Sequence, residues 1–270
     1  MGAEVAGGLL TNSLSLLADA GHMLSDAAAL ALSLFALWIA DSRPPGPLRT
    51  YGAYRAEILA ALANGAALVL IALLVAVEAL GRLRDPPAVA APGMVAVAAG
   101  GLVVNVVALF VLHGSRHDSL NMRGAWLHVL SDALGSVQAI AAGVLIWAFN
   151  WRWADPLASL LIAVLVVASA WRLLKEAIAV LMEAPPGHID VERVREAMLA
   201  VACVADVHDL HVWSIATGFD CLSAHVVADG ERERDPLLDE LRRMLHDRFG
   251  IEHITIQLEP LGFVEHHRSC

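Results

Sequence analysis

The chain has 270 residues, of which 58% are hydrophobic and 17% are charged, with a mean hydropathy of +0.63 and a formal net charge of -10. This composition excludes an intrinsically disordered chain, which combines low hydrophobicity with dense charge. Residues 1–182 carry 11 acidic and 10 basic side chains, whereas residues 183–270 carry 17 and 8, so we expect an apolar domain followed by an acidic one.

Five apolar stretches are long enough to cross a bilayer as helices, because about 20 residues span a hydrocarbon core about 30 Å thick. We predict these spans at residues 14–40, 57–80, 92–113, 125–149 and 155–174. The ten residues before them are too short to cross and lack the basic start of a signal peptide, so we expect the end of a truncated first helix. Residues 1–182 are thus expected to form an all-α polytopic membrane domain.

The basic side chains in the connections predict how the spans are oriented, since positive charge is enriched in cytoplasmic loops. Seven lie on one side of the predicted membrane domain, namely Arg43, Arg49, Arg55, Arg116, Arg123, Arg172 and Lys175, and three lie on the other, namely Arg82, Arg84 and Arg152. We therefore expect the loops at 41–56 and 114–124 and the acidic domain to lie in the cytoplasm.

Two predicted spans carry the same polar signature: GHMLSDA, with His22 and Asp26, and LHVLSDA, with His128 and Asp132. Residues four apart lie on one helical face, and ionisable residues inside a span are costly enough to suggest a function. If the two helices face each other, two imidazoles and two carboxylates converge, a ligand set suited to tetrahedral Zn²⁺. The alternative is a hydrogen-bonded link between two helices.

Other polar side chains in the predicted spans carry weaker signals. Asp19 lies one turn before His22 and could guide cations to the paired site, but it also fits an interfacial residue near a helix start. Asn64 and Gln138 are better suited to hydrogen bonds between helices than to metal binding. The paired site favours Zn²⁺; Cd²⁺ or Co²⁺ accept the same ligands, whereas Mn²⁺ and Mg²⁺ would favour more oxygen atoms.

We predict that the acidic domain is a small α+β unit over residues 187–262, followed by a tail at 263–270. Hydrophobic periodicity predicts a helix at 190–202, strands at 208–215 and 219–228, a helix at 235–249 and a strand at 251–259. This αββαβ order predicts a ferredoxin-like arrangement, with a sheet covered by helices on one side.

Several histidines fall on the predicted strands of this domain: His208, His211, His225 and His253, with Glu259 near the end of the last strand. A single histidine on a solvent-facing strand is more often merely exposed. Several on adjacent strands of one acidic sheet favour metal binding.

The segments GHMLSD, YGAYRAEILAALANG and SLNMRGAWLHVLSDALGSV resemble those of the cation diffusion facilitator (cation efflux) family, and most closely its zinc-transporting branch. The resemblance runs from residue 1 to about residue 260. It implies six transmembrane helices, with a metal site between the second and the fifth, in a homodimer that exchanges a divalent cation, mostly zinc, for protons. It also implies that His208, His225, His253 and Glu259 take part in cytoplasmic zinc binding, with His211 as the alternative ligand.

The expected function is therefore Zn²⁺ export from the cytosol in exchange for protons, across a bacterial inner (plasma) membrane, with cytoplasmic Zn²⁺ as a regulatory ion. One alternative is a metal-sensing or non-transporting membrane protein. Another is a membrane metalloenzyme such as an intramembrane protease, but the sequence has no HExxH motif. Nucleic acid is not an expected partner, because the soluble domain is acidic.

Overall fold

The computed structural model describes residues 1–42, 45–114, 120–229 and 234–263. Within these ranges the chain forms eight α-helices and three β-strands, divided between two compact units. The first unit comprises Met1–Leu32 and Ala63–Leu174, and the second comprises Ser33–Leu62 and Lys175–Cys270. The predicted tail beyond residue 263 lies outside the described residues, as do Arg43, Arg116 and the side chain of Arg123, on which part of the predicted orientation depends.

Six helices precede the acidic domain. They are α1 (Gly2–Thr11), α2 (Leu14–Ser42), α3 (Arg55–Arg84), α4 (Ala91–His113), α5 (Leu120–Phe149) and α6 (Ala154–Leu181). Of the described helices, four are long and apolar enough to cross a membrane: Arg55–Arg84, Ala91–His113, Ala125–Phe149 within α5, and Ala154–Leu181. The remaining predicted span, α2, has 29 residues. The side chains of residues 37, 40 and 41 in this helix lie outside the described residues, and the four helices are counted over the described residues alone.

Small residues allow the helices of the first unit to pack closely. A Cβ atom at Gly7 of α1 would lie 2.7 Å from Val97 of α4, and one at Gly143 of α5 would lie 2.6 Å from Val95. Both glycines therefore face a neighbouring helix at a distance that no larger side chain allows. The buried core of this unit consists mostly of alanine, with Leu16, Ala91, Met94, Ala98, Ala139, Ala142, Ile146, Ala154 and Ala158.

The acidic domain contains α7 (Val191–Leu199), β1 (Val204–Ala216), β2 (Phe219–Ala228), α8 (Arg234–Phe249) and β3 (His253–Pro260). This is the predicted αββαβ order, and β1 begins four residues earlier than predicted. Strands β1 and β2 pair antiparallel as a hairpin, and β3 pairs parallel with β2 after the crossover through α8. The domain is therefore a small α+β unit with a three-stranded sheet in the order β1-β2-β3.

The core of the acidic domain lies between one face of this sheet and the two helices. Its fully buried side chains include Val194, Met198, Val207, Leu222, Val226, Leu237, Leu241 and Leu245. Asp190 caps α7, because its carboxylate accepts hydrogen bonds from the backbone N–H groups of Glu192 and Arg193.

Candidate metal centres

The first candidate centre lies between α2 and α5, where each helix presents a histidine and an aspartate one turn apart. On α2, the distance from His22 Nε2 to Asp26 Oδ2 is 3.6 Å. On α5, the distance from His128 Nε2 to Asp132 Oδ2 is 3.7 Å. The four-residue spacing places each pair on one face of its helix, as the sequence predicts.

The two pairs also face each other across the helix interface. His128 Nε2 lies 3.6 Å from Asp26 Oδ2, the same distance that separates His22 from this oxygen. The rings of His22 and His128 meet edge to face, with 6.4 Å between their centroids. Asp26 therefore lies between both imidazoles, and the structure brings all four predicted residues together.

These distances suit the ligands of one ion better than hydrogen bonds. A hydrogen bond between nitrogen and oxygen usually spans about 2.7–3.2 Å. Ligand atoms about 2.0–2.1 Å from a tetrahedral Zn²⁺ lie about 3.4 Å from one another. Three polar atoms of this cluster, His22 Nδ1, Asp26 Oδ2 and Asp132 Oδ1, are buried and have no hydrogen-bond partner among the described residues. Buried polar atoms are rarely left without a partner, so the cluster is chemically suited to a cation.

Asp19 lies beside this centre and is not one of its four facing residues. Its side chain is buried, and a Cβ atom at Gly135 of α5 would approach Asp19 Oδ1 to 3.2 Å. Gly135 lies one turn beyond Asp132, so Asp19 is about one turn away from the centre along both helices.

Asn64 and Gln138, which the sequence assigns to contacts between helices, both form such hydrogen bonds. Asn64 accepts one from Ser25, and Gln138 donates one to the backbone of α6.

The second candidate centre lies on the sheet of the acidic domain. The register places His208 of β1 opposite His225 of β2, and Glu259 of β3 beside Val227, two residues beyond His225 along β2. His225 Nδ1 lies 3.0 Å and His208 Nε2 lies 3.4 Å from the Glu259 carboxylate. One ligand atom from each of these three residues lies within 4.8 Å of the others, and Glu259 is only 3% exposed.

His211 and Asp209 lie at the edge of this second centre. His211 Nε2 contacts Asp209 Oδ1 at 3.2 Å, and Asp209 Oδ2 lies 3.9 Å from His225 Nε2. The sequence analysis missed Asp209, although it stands between two histidines in the segment HDLH. Its positive φ of 51° interrupts the strand alternation, so a pattern-based reading does not place its side chain beside His225.

His253 lies apart from the other predicted ligands of the acidic domain. It opens β3 opposite Cys221, four positions before Gln257, the partner of His225. Its ring contacts the rings of Tyr51 and Phe219, with centroids 5.7 Å and 6.4 Å away. Within one chain, the structure therefore groups His208, His225 and Glu259 without His253.

Comparison with known proteins gives matches over both domains. The family model of the cation efflux transmembrane domain matches residues 1–182, and that of the cation efflux protein cytoplasmic domain matches residues 186–261. The chain is 45% identical over 260 residues to the cadmium, cobalt and zinc/H(+)-K(+) antiporter of Bacillus subtilis (strain 168), covering 95% of this chain and 83% of that protein.

Two further relatives carry similar names. Zinc transporter ZitB of Escherichia coli (strain K12) is 43% identical over 258 residues, which cover 95% of this chain and 82% of that protein. The solved metal-bound C-terminal domain of the CzcD transporter from Cupriavidus metallidurans is 40% identical, with a TM-score of 0.25, and the match covers 26% of this chain and 99% of that domain.

Proposed function

The chain belongs to the cation efflux family, and on that basis we propose that it exports Zn²⁺ from the cytosol in exchange for protons through the centre between α2 and α5. The resemblance to this family, inferred from three sequence segments, is confirmed. Members of the family are transporters, so the prediction of a transporter is confirmed over that of a membrane metalloenzyme.

The observation that carries this proposal is the meeting of His22, Asp26, His128 and Asp132 at ligand-like distances between two long helices. Two imidazole nitrogens and two carboxylate oxygens complete a tetrahedral set for Zn²⁺. Two negative charges also neutralise the dication, which removes most of the cost of burying it within a membrane. In this proposal α2, with 29 residues, is a fifth membrane span.

Proton exchange follows from the chemistry of the two imidazoles. A histidine must be neutral to bind a metal ion, so a proton and Zn²⁺ compete for the same nitrogen. Histidine is for this reason a residue type suited to coupling metal binding to proton exchange. The B. subtilis relative is named as an antiporter of cadmium, cobalt and zinc, and we extend the cargo of this chain to Cd²⁺ and Co²⁺, which accept the same ligands.

We place the acidic domain, which we infer to be ferredoxin-like, in the cytoplasm of a bacterial cell and the helices in its inner membrane. The cytoplasmic cation efflux model that matches this domain supports a homodimer. His208, His225 and Glu259 would hold a second, regulatory Zn²⁺ there. A bound ion can bias transport only if it binds one conformation of the transporter better than the other.

Zinc flux into proteoliposomes that contain the full chain tests this function. We expect flux that depends on an imposed pH gradient and falls at least 100-fold in Asp132→Ala, because the ion loses a charged ligand. Glu78→Gln is the matched control, since this carboxylate belongs to α3 and pairs with Arg82, away from the centre. Its flux should equal that of the wild type.

Three results would contradict parts of the proposal. Zinc flux that persists in Asp132→Ala would remove the assigned site. Flux that ignores the pH gradient would remove proton exchange. Tight Zn²⁺ binding by the wild type without flux in either direction would favour the alternative of a metal-sensing protein.

A further inference from the structure

Asp155 in the first turn of α6 is the most completely satisfied buried charge of the helical unit. Its side chain is 0% exposed. Its carboxylate accepts hydrogen bonds from Ser13 Oγ at 2.7 Å, Leu14 N at 2.8 Å, Ser15 N at 3.2 Å and Ser15 Oγ at 2.7 Å. All of these donors belong to the first turn of α2 or to the residue that precedes it.

This contact makes Asp155 a helix cap supplied from a different helix. Ser13 caps α2 in the usual way, because its hydroxyl accepts a hydrogen bond from Leu16 N at 3.3 Å. Asp155 then binds the N–H groups of the first two residues of α2, one with each carboxylate oxygen. A negative charge here also matches the positive end of the helix dipole. Because both oxygens are engaged, the contact fixes the axial position and the rotation of α2 against α6.

The same turn of α6 also holds α5. Gln138 Nε2 donates a hydrogen bond to the carbonyl oxygen of Ala158 at 2.6 Å. Ala158 lies three residues after Asp155, and Gln138 lies six residues after the metal-site residue Asp132. One turn of α6 is thus bonded to both helices that carry the candidate transport site.

The distance from this anchor to the site is short. His22 lies eight residues beyond Leu14, which corresponds to about 12 Å along a helix that rises 1.5 Å per residue. A rotation or slip of α2 at its beginning is therefore carried to His22 and Asp26, whose ligand atoms must stay within a few tenths of an ångström of their places.

We propose that Asp155 is a positioning residue for the transport site: it holds α2 so that His22 and Asp26 face His128 and Asp132. This role rests on the proposed function of those four residues. The simpler alternative is that Asp155 only stabilises the fold, as an ordinary helix cap does. The two roles differ in one respect, because only a positioning residue changes the geometry of a bound ion.

Co²⁺ bound to the full chain in detergent tests the proposal. Its visible absorption reports tetrahedral coordination, and titration gives its affinity. All proteins carry His208→Ala and Glu259→Ala, so that the signal comes from the helices. We expect Asp155→Asn to weaken Co²⁺ binding about 10- to 100-fold and to change the absorption bands, as the loss of residues that orient metal ligands does.

Ser159→Ala is the matched control. Ser159 is buried one turn further along α6, and among the described residues its hydroxyl donates a hydrogen bond only to the Asp155 backbone of its own helix. The Ser159→Ala variant should at most have a lower unfolding temperature, and its Co²⁺ spectrum should be unchanged. If Asp155→Asn does not fold, Ser15→Ala decides, because it removes one hydroxyl donor and keeps the backbone contact. For Ser15→Ala we expect weaker Co²⁺ binding and altered absorption bands, as for Asp155→Asn but to a smaller extent.

Two outcomes separate failure of this inference from failure of the proposed function. If Asp155→Asn or Ser15→Ala lowers the unfolding temperature but leaves Co²⁺ affinity and absorption as in the parent, Asp155 is only a cap and the inference is overturned. If His22→Ala and Asp132→Ala also retain the parent spectrum, the ion binds elsewhere, and both the transport site and its positioning residue are overturned.

Discussion

The two candidate centres combine similar residues in opposite ways. The centre between α2 and α5 has two carboxylates for two imidazoles, so a bound dication is neutralised in surroundings of low polarity. The centre on the sheet has one carboxylate, Glu259, for His208 and His225, in a domain whose sequence is strongly acidic. In the proposed function, the ion crosses the membrane at a centre that balances its charge, whereas a domain in water can hold an ion that keeps a net charge.

The centres also differ in how they are built. The helical centre comes from two local repeats of four residues, and each repeat needs only a regular helix. The sheet centre requires three strands in one register, because its residues are far apart along the chain.

The largest effect should come from Asp26, the carboxylate that lies between both imidazoles of the helical centre. Asp26→Asn keeps the size of the side chain and removes its charge. We expect at least a 100-fold loss of Zn²⁺ affinity in the full chain with His208→Ala and Glu259→Ala, measured by calorimetry. Ser25→Ala is the control, because it changes the neighbouring residue, whose hydroxyl bonds to Asn64. Its Zn²⁺ affinity should stay near that of the parent. Equal affinities of Asp26→Asn and the parent would mean that charge balance does not distinguish this centre.

An intermediate effect is expected at the sheet centre, where Glu259→Gln removes the buried carboxylate that contacts both His208 and His225. A neutral carboxamide binds Zn²⁺ more weakly than a carboxylate, so we expect about a 10- to 100-fold loss of Zn²⁺ affinity, measured in the full chain with Asp132→Ala. His253 lies on the same strand and contacts Tyr51 and Phe219 instead. The Zn²⁺ affinity of His253→Ala should therefore change less than about twofold. A larger loss for His253→Ala than for Glu259→Gln would restore the ligand set predicted from the sequence.

The smallest effect, a several-fold change on zinc binding, concerns the labelling of Cys221, one of two described cysteines of the acidic domain. Burial, together with the nearby negative charge of Asp220, raises the pKa of the Cys221 thiol to about 11. The reactive thiolate form of Cys221 is therefore scarce. At pH 8 its alkylation should be about 100-fold slower than that of an ordinary thiol. The alkylation rate should rise about tenfold per pH unit up to about pH 11. Cys203 is exposed and free, and it should react faster in the same sample when the modified peptides are quantified by mass spectrometry.

Zinc should lower the labelling of Cys221 further, by several-fold, because β2 also carries His225 and an ion bound to the folded sheet suppresses its opening. The decrease should persist in Asp132→Ala and disappear in Glu259→Gln. The reverse pattern would mean that the helical centre, and not the sheet centre, controls the stability of this domain.

Much of this architecture could be predicted from the sequence, for reasons that are local. The HxxxD pairs specify side chains on one face of a helix, and hydrophobic periodicity gave the αββαβ order of the acidic domain. Four of the five predicted spans match described helices that are long and apolar enough to cross a membrane, because about 20 consecutive apolar residues are a local property of the sequence.

The sequence by itself determined which residues could form each half of the helical centre, because a helix fixes the separation of residues four apart. Only the tertiary structure decided that Asp26 lies between both imidazoles and that Glu259, without His253, meets His208 and His225. It also decided that Asp155, 129 residues from Asp26 along the chain, caps the helix on which Asp26 lies. Contacts of this kind depend on helix packing and strand register, which no local pattern of residues specifies.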